Sequence, residues 1–247
     1  ATPEQLADAA IKSGSHSVAF TYNDPVIFLE YAVDTAIACH ERGLKTVAVT
    51  AGYICPEPRA EFFSHIDAAN IDLKGFTEEF YHELCVGSLA PVLETLIYLQ
   101  RETDVWFEIT TLLIPGKNDG DDELKRLADW IAENLGPHVP LHFSAFHPDY
   151  RMLDIPATPH QTLLRARTIA LEAGLHHVYV GNVHDEAAGS TYCSACGQKL
   201  IGRDWYQLSD WGLTEKGECQ ACGHVCAGVF KGLPGDWGRK RQPVRIS

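Results

Sequence analysis

Residues 45–75, KTVAVTAGYICPEPRAEFFSHIDAANIDLKG, contain a complete strand–helix–strand unit. Lys45–Thr50 is a β-branched run that stops at Ala51-Gly52, and Ala69–Leu73 is a second strand. Pro58–His65 between them reads as a helix. Two strands joined through a helix run parallel, because only a long crossover brings the chain back to the same end of the sheet. The unit sets the class: α/β, with a parallel sheet covered by helices.

The same rhythm extends both ways. Thr2-Pro3-Glu4-Gln5 is a helix start, with Thr as cap, Pro at the first helical position and Gln three residues after Thr. That helix reaches about Ser13. A strand over Ser17–Tyr22 breaks at Asn23-Asp24-Pro25, and a helix from Pro25 to Arg42 is stopped by Gly43. Downstream come helical material over Thr77–Arg101, a strand over Val105–Leu113, a helix over Gly120–Asn134 and a strand over Val139–Phe146. A helix over Pro159–Ala173 and a strand over His177–Val180 complete the series. Most of these strands are near-continuous apolar runs, as expected when both faces are buried. About six strands fit a partial barrel or an open doubly wound sheet; a complete eight-stranded barrel needs more chain. After about Gly181, Gly, Ser and Cys become frequent and the alternation stops, so the chain divides into a first domain, 1–182, and a small second domain, 183–247.

A net charge of −13 excludes non-specific nucleic-acid binding, since an acidic surface repels phosphate. The basic tail, Lys231, Arg239, Lys240, Arg241 and Arg245, reads as a solvated terminus. No apolar run reaches the roughly 18 residues of a membrane span, and no signal-peptide pattern opens the chain. The start, ATPEQLADAA, lacks an initiator Met and reads as an excised piece of a longer protein.

Five of the eight cysteines fall near the end, and four form Cys193-Ser-Ala-Cys196-Gly and Cys219-Gln-Ala-Cys222-Gly. Each C-x-x-C puts two thiolates on one turn, and two such turns supply the tetrahedral S4 set of structural zinc. Clustering of this kind points to metal in a reducing, cytoplasmic setting rather than to disulfides. Cys219, Cys222 and Cys226 also spell C-x-x-C-x-x-x-C, which could hold part of an iron–sulfur cluster. The paired arrangement is simpler and leaves Cys226 spare.

Ligands of parallel α/β folds bind at the carboxyl ends of the strands. The residues there are Tyr22-Asn23-Asp24, then Thr50, then Asp72 and Lys74, then Glu108 and Thr110 on one face of the fourth strand. His142 and Ser144 share a face of the fifth strand, His147 follows it, and Asn182 ends the sixth. Such convergence suits a polar or zwitterionic small molecule. The plain alternative is that Asp72 pairs with Lys74 and that Asn-Asp-Pro and Pro-Gly are turn chemistry. No dinucleotide, phosphate-loop, nucleophile-elbow or zinc-protease motif is present.

The segments SVAFTYNDPVIFLEYAVDTA, GLKTVAVTAGYI, AANIDLKGFTEEFY, FEITTLLIPGKNDG, LHFSAFHPDYRM, VYVGNV and TYCSACGQKLI follow one another across nearly the whole chain. In this order they resemble the radical SAM enzyme of the AmmeMemoRadiSam system, whose barrel is related to that of pyruvate formate-lyase activating enzyme. The resemblance implies a partial (β/α)6-type radical SAM barrel lacking its first strand, followed by a small zinc-ribbon-like domain. It also implies S-adenosylmethionine and a [4Fe–4S] cluster, with an electron donor that drives cleavage to a 5′-deoxyadenosyl radical for hydrogen abstraction. By resemblance, Tyr22, Asn23 and Asp24 stand where the family holds the methionyl amine. Asp72 and Lys74 stand near the ribose and carboxylate, with Thr50 and His142 lining the same cavity. The cluster motif C-x-x-x-C-x-x-C occurs nowhere in this chain. The family carries it upstream with the first strand, so an N-terminally truncated piece, inactive alone, is expected. The substrate, a small molecule or a protein, is not indicated; family naming associates such enzymes with Memo- and AMMECR1-type proteins. Two other readings stand beside this one: a non-catalytic SAM-binding or scaffold protein with a structural zinc knuckle, and an unrelated barrel lyase or hydrolase.

Overall fold

The computed structural model describes residues 1–230 together with Pro243, Val244 and Ile246; the five basic residues of the tail named above lie outside the described residues. Six strands follow one another in chain order in one sheet: β1 (Ser17–Phe20), β2 (Lys45–Thr50), β3 (Ala68–Asp72), β4 (Trp106–Leu113), β5 (Leu141–Ala145) and β6 (Val178–Gly181). β1-β2-β3 pair parallel, as do β4-β5-β6. The order contains no reversal, so right-handed crossovers put every connecting helix on the same face. A doubly wound sheet needs a reversal. Of the two architectures the sequence leaves open, the partial barrel is the one formed.

Among the described residues the chain packs as two compact units, Ala1–Leu73 with Gly87–Glu108, and Lys74–Val86 with 109–230. In the first, α1 (Pro3–Lys12) opens with the expected reciprocal cap: the Gln5 amide donates to Thr2 Oγ1 at 3.3 Å and the Thr2 amide to Gln5 Oε1 at 2.9 Å. Ala7 and Ala10 let α1 lie close against α2 (Leu29–His40), where Ala38, Cys39 and Leu44 complete a small apolar cluster. α2 is preceded by a 3-10 turn, Pro25–Phe28, and α3 (Pro56–Phe63) joins β2 to β3.

The helical material expected over Thr77–Arg101 forms in separate pieces. A short turn, α4 (Glu78–Phe80), runs into a π-helical turn at Tyr81–Cys85, and Val86 takes the left-handed conformation at φ 54°. α5 then starts afresh at Ala90–Glu102. Pro91 explains the restart: it fits the first turn of a helix and breaks an interior.

Asp67 ties β2 to β3. Its carboxylate accepts from Lys45 Nζ at 2.5 Å, the Thr46 amide at 2.9 Å and Thr46 Oγ1 at 3.1 Å, with His40 Nε2 at 2.9 Å. Burial opposes its ionisation, but these donors outweigh it and draw the pKa down to about 2. A depressed carboxylate contributes stability above its unfolded pKa and loses it as pH falls through the folded one. Asp67→Asn should therefore cost about 2 kcal/mol at neutral pH. In urea unfolding the gap from the parent should close between about pH 4 and pH 2; a gap constant with pH would remove the charge from the account.

In the second unit, α7 (His160–Glu172) packs on β5 and β6 and against α6 (Asp121–Asn134). Phe143 of β5 is fully buried, as are Ile109 and Leu113 of β4. After β6 come α8 (Glu186–Gly189) and an antiparallel sheet of β7 (Thr191–Tyr192), β8 (Lys199–Asp204) and β9 (Gln207–Trp211). Its core is Cys193, Leu200, Ile201, Leu213, Cys219 and Cys226.

Candidate cofactor site and metal centre

In the first unit the loop after β1 carries Tyr22, which takes the left-handed region at φ 70° and is 97% exposed. Asn23 is exposed beside it. Asp24 is the organising residue. Oδ1 caps the 3-10 turn by accepting from the Val26 amide at 3.1 Å and also accepts from Thr50 Oγ1 at 2.8 Å. Oδ2 accepts from the Ala51 amide at 2.8 Å. The loops after β1 and β2 are thus joined by one carboxylate. Thr50 is buried and occupied with Asp24, so it supports the strand end rather than presenting its hydroxyl to a ligand. Asp72 is the last residue of β3 and half-buried.

In the second unit the backbone of Lys74 is held from both sides. Its amide donates to Tyr81 Oη at 3.1 Å, and its carbonyl accepts from Asn118 Nδ2 at 2.7 Å. Asn118, 2% exposed, also donates from Nδ2 to the Leu112 carbonyl at 2.9 Å and accepts from the Ile114 amide at 2.7 Å. Two residues beyond Lys74, the Phe76 amide donates to Glu123 Oε1 at 2.6 Å. Burial pushes the Glu123 carboxyl up, and the Phe76 amide acts against that.

The sheet register aligns Thr110, His142 and Tyr179, and then Leu112, Ser144 and Gly181. His142 is the second residue of β5, well short of its carboxyl end, and its ring stacks on Tyr179 with centroids 4.9 Å apart and planes at 27°. His147 lies exposed beyond the strand. Asn182, at φ 60°, ties the end of β6 to β5 by donating to the Ala145 carbonyl at 3.1 Å.

Cys193, Cys196, Cys219 and Cys222 come together as their spacing requires, all four sulfurs within 4.8 Å of one another. Cys193 and Cys222 Sγ are 3.6 Å apart, Cys196 and Cys219 Sγ 3.8 Å. The knuckles are built alike. Gly197 and Gly223 are left-handed at φ 74° and 75°, and their amides donate to the Cys193 and Cys219 carbonyls at 2.9 and 2.8 Å. Cys226 is buried nearby, outside the ligand group, with Sγ 3.6 Å from the Ala227 carbonyl.

Residues 1–131 match the model of the radical SAM superfamily. This chain is a radical SAM protein. Over 223 residues it is 40% identical to an uncharacterised protein of Methanocaldococcus jannaschii, covering 90% of this chain and 66% of the relative's length. Its fold is similar to a domain of pyruvate-formate lyase-activating enzyme from Bacteroides vulgatus (TM-score 0.59, 20% identical, 68% of this chain and 100% of that one). It is also similar to Streptococcus suis SuiB bound to S-adenosylmethionine (TM-score 0.55, 15% identical, 72% of this chain and 40% of that one).

A radical SAM cluster needs three cysteines around one point and an iron left open. Among the described residues the one such group of His, Cys, Asp or Glu is the four-cysteine centre, and four protein thiolates leave no open position. Cys39 is buried in α2, Cys55 is exposed before α3, and Cys85 is half-buried in the π-helical turn. The described residues therefore do not fit the catalytic cluster. The carboxylate after β1 and the aspartate at the end of β3 in the first unit, and the lysine and stacked imidazole in the second, are each of a kind that can meet a charged or aromatic group of a ligand. The sequence places Asn118 in the segment beyond the fourth strand but assigns no role to it, to Tyr81 or to Tyr179, which contact Lys74 and His142.

Proposed function

We propose that this chain is the cofactor- and substrate-binding part of an AmmeMemoRadiSam-type radical SAM enzyme that uses S-adenosylmethionine, cleaved reductively, to remove hydrogen from its substrate. On this reading the [4Fe–4S] cluster is held by cysteines outside these 247 residues, in keeping with a span of 66% of the relative's length. The observation that carries the reading is Asp24. Three protein donors fix its carboxylate at the junction of two strand-end loops, and of its roughly four acceptor positions one on Oδ2 remains for a ligand ammonium. In the first unit Tyr22 and Asn23 flank that ammonium, Thr50 holds Asp24, and Asp72 is a further proposed contact; in the second, Lys74 and His142 are the proposed cofactor contacts.

On this reading the described residues from 183 to 230 belong to the metal domain, and zinc is its ion. A tetrahedron of sulfurs about 2.3 Å from zinc has edges of about 3.8 Å, which the observed separations approach; an iron–sulfur cluster would hold its cysteines farther apart. An electron donor and an unidentified substrate, small molecule or protein, complete the system. Memo- and AMMECR1-type proteins are the partners to test, in the cytoplasm. No helix among the described residues is long and apolar enough to cross a membrane.

Anaerobic reconstitution of this chain and of the longer natural protein, with iron, sulfide and zinc counted, tests the reading. The longer form should gain a cluster whose paramagnetic signal responds to S-adenosylmethionine, and both should carry about one zinc per chain. A longer form without a cluster would leave a SAM-binding scaffold, the second reading, which the lack of a cluster-binding set among the described residues favours. Asp24→Asn should weaken S-adenosylmethionine binding by roughly tenfold or more, the worth of one charged hydrogen bond. Unchanged affinity in equilibrium dialysis would remove Asp24 from the site.

A further inference from the structure

Tyr179 has two neighbours of different kinds. On one side its ring stacks on His142. On the other, its hydroxyl lies 3.0 Å from Thr191 Oγ1, and the Arg203 guanidinium sits 5.7 Å from its ring centroid. Arg203 Nη1 donates to the same Thr191 Oγ1 at 2.5 Å, and the Arg203 amide donates to Ser190 Oγ at 3.1 Å. Because Arg203 can only donate, Thr191 Oγ1 accepts there and keeps its own proton to share with Tyr179. Ser190 and Thr191 are both buried, so this network is held rather than solvated.

The residues that meet Tyr179 on this second side, Thr191 and Arg203, belong to the metal-bearing module. Thr191 is two residues before the ligand Cys193, and Arg203 is on β8, whose Leu200 and Ile201 pack against Cys193 and Cys219. The backbone that delivers the sulfurs is the backbone that delivers the grip. With so few buried side chains, the module depends on its ion to hold that backbone.

We propose that metal loading of the four-cysteine centre sets the position of His142 through Tyr179, with Tyr179, Thr191 and Arg203 as positioning residues for that imidazole. The proposal rests on the reading of His142 as a cofactor contact and adds a dependence of that contact on a distant ion. Metal, network and imidazole form one chain of contacts: thiolates, β7 and β8, Thr191 and Arg203, Tyr179, His142. A module that merely covers β6 would leave the imidazole indifferent to the ion.

The chain labelled with carbon-13 in its histidine rings, with His142 assigned through His142→Gln, provides the readout. Chelation of the metal under reducing conditions should move the His142 ring signal as the Tyr179 ring current is lost. Thr191→Val should move it in the same direction while one metal per chain is retained, and Arg203→Met should do likewise. In the cluster-bearing longer protein, Thr191→Val should weaken S-adenosylmethionine binding by about fivefold, at the lower end of coupling between distinct sites. An imidazole unmoved by chelation and by Thr191→Val overturns the coupling whatever the cofactor does. Absence of S-adenosylmethionine binding in the parent protein overturns the functional reading instead, and the imidazole signal still decides the coupling.

Discussion

Stripping the metal from the four-cysteine centre should unfold the module around residues 190–226 and leave the six-stranded sheet folded. Three of the six residues in the module's buried cluster are cysteines, and two of those, Cys193 and Cys219, are ligands. Leu200, Ile201 and Leu213 supply about 2–3 kcal/mol each on burial. Ordering some forty residues costs roughly 1–2 kcal/mol per residue in backbone entropy alone. Metal binding to such a set is worth about 10–16 kcal/mol near neutral pH and falls on acidification as the thiolates take up protons. A chelator, or Cys219→Ser, should therefore shift Trp205 and Trp211 fluorescence and open the β8–β9 turn to protease. The far-ultraviolet helix signal should change little. Cys226→Ala should retain one metal and cost only about 1–3 kcal/mol, because burial pushes that thiol up and it stands outside the ligand group. A chelated module that stays protease-resistant would make the ion an accessory rather than the staple of this fold.

Features with a local cause were legible in the sequence. The Thr2 cap, the Lys45–Thr50 strand and the cysteine knuckles depend on spacing within a few residues, and the structure forms each. Features that depend on which side of a strand a residue faces were not. Lys45–Thr50 offers no polar–apolar contrast, so nothing in KTVAVT says that Thr50 points toward the core and into Asp24. The fifth strand starts at Leu141 rather than Val139, since Pro140 has no amide to give a ladder. The residues that position others were invisible for a different reason. Asn118 reaches Lys74 across 44 positions and Tyr179 meets Thr191 across 12, contacts that exist only once the elements have packed.

Asn118 should prove the most sensitive single residue at the end of the barrel. Its one amide satisfies three backbone groups: the Ile114 amide, the Leu112 carbonyl and the Lys74 carbonyl. Its burial denies water the chance to replace them. Asn118→Leu keeps the volume and strands all three, at about 1–3 kcal/mol per unsatisfied group, so a loss of about 3–5 kcal/mol is expected after partial relaxation. Asn118→Asp is more telling. The introduced carboxylate can still accept from Ile114, but its second oxygen faces two carbonyl oxygens where Nδ2 donated. Burial and that repulsion raise the introduced group's pKa in the fold, so its ionisation costs stability as pH rises. Protonation supplies an O–H donor and should restore much of the loss toward about pH 4. The parent should show no such recovery. If Asn118→Asp unfolds in urea at the same concentration at pH 4 and pH 7, relative to the parent, the side chain is not the donor that holds Lys74. If it recovers at low pH, the buried Asn118 amide, 44 residues away, is the donor that holds the Lys74 carbonyl, beside the Tyr81 hydroxyl that holds its amide.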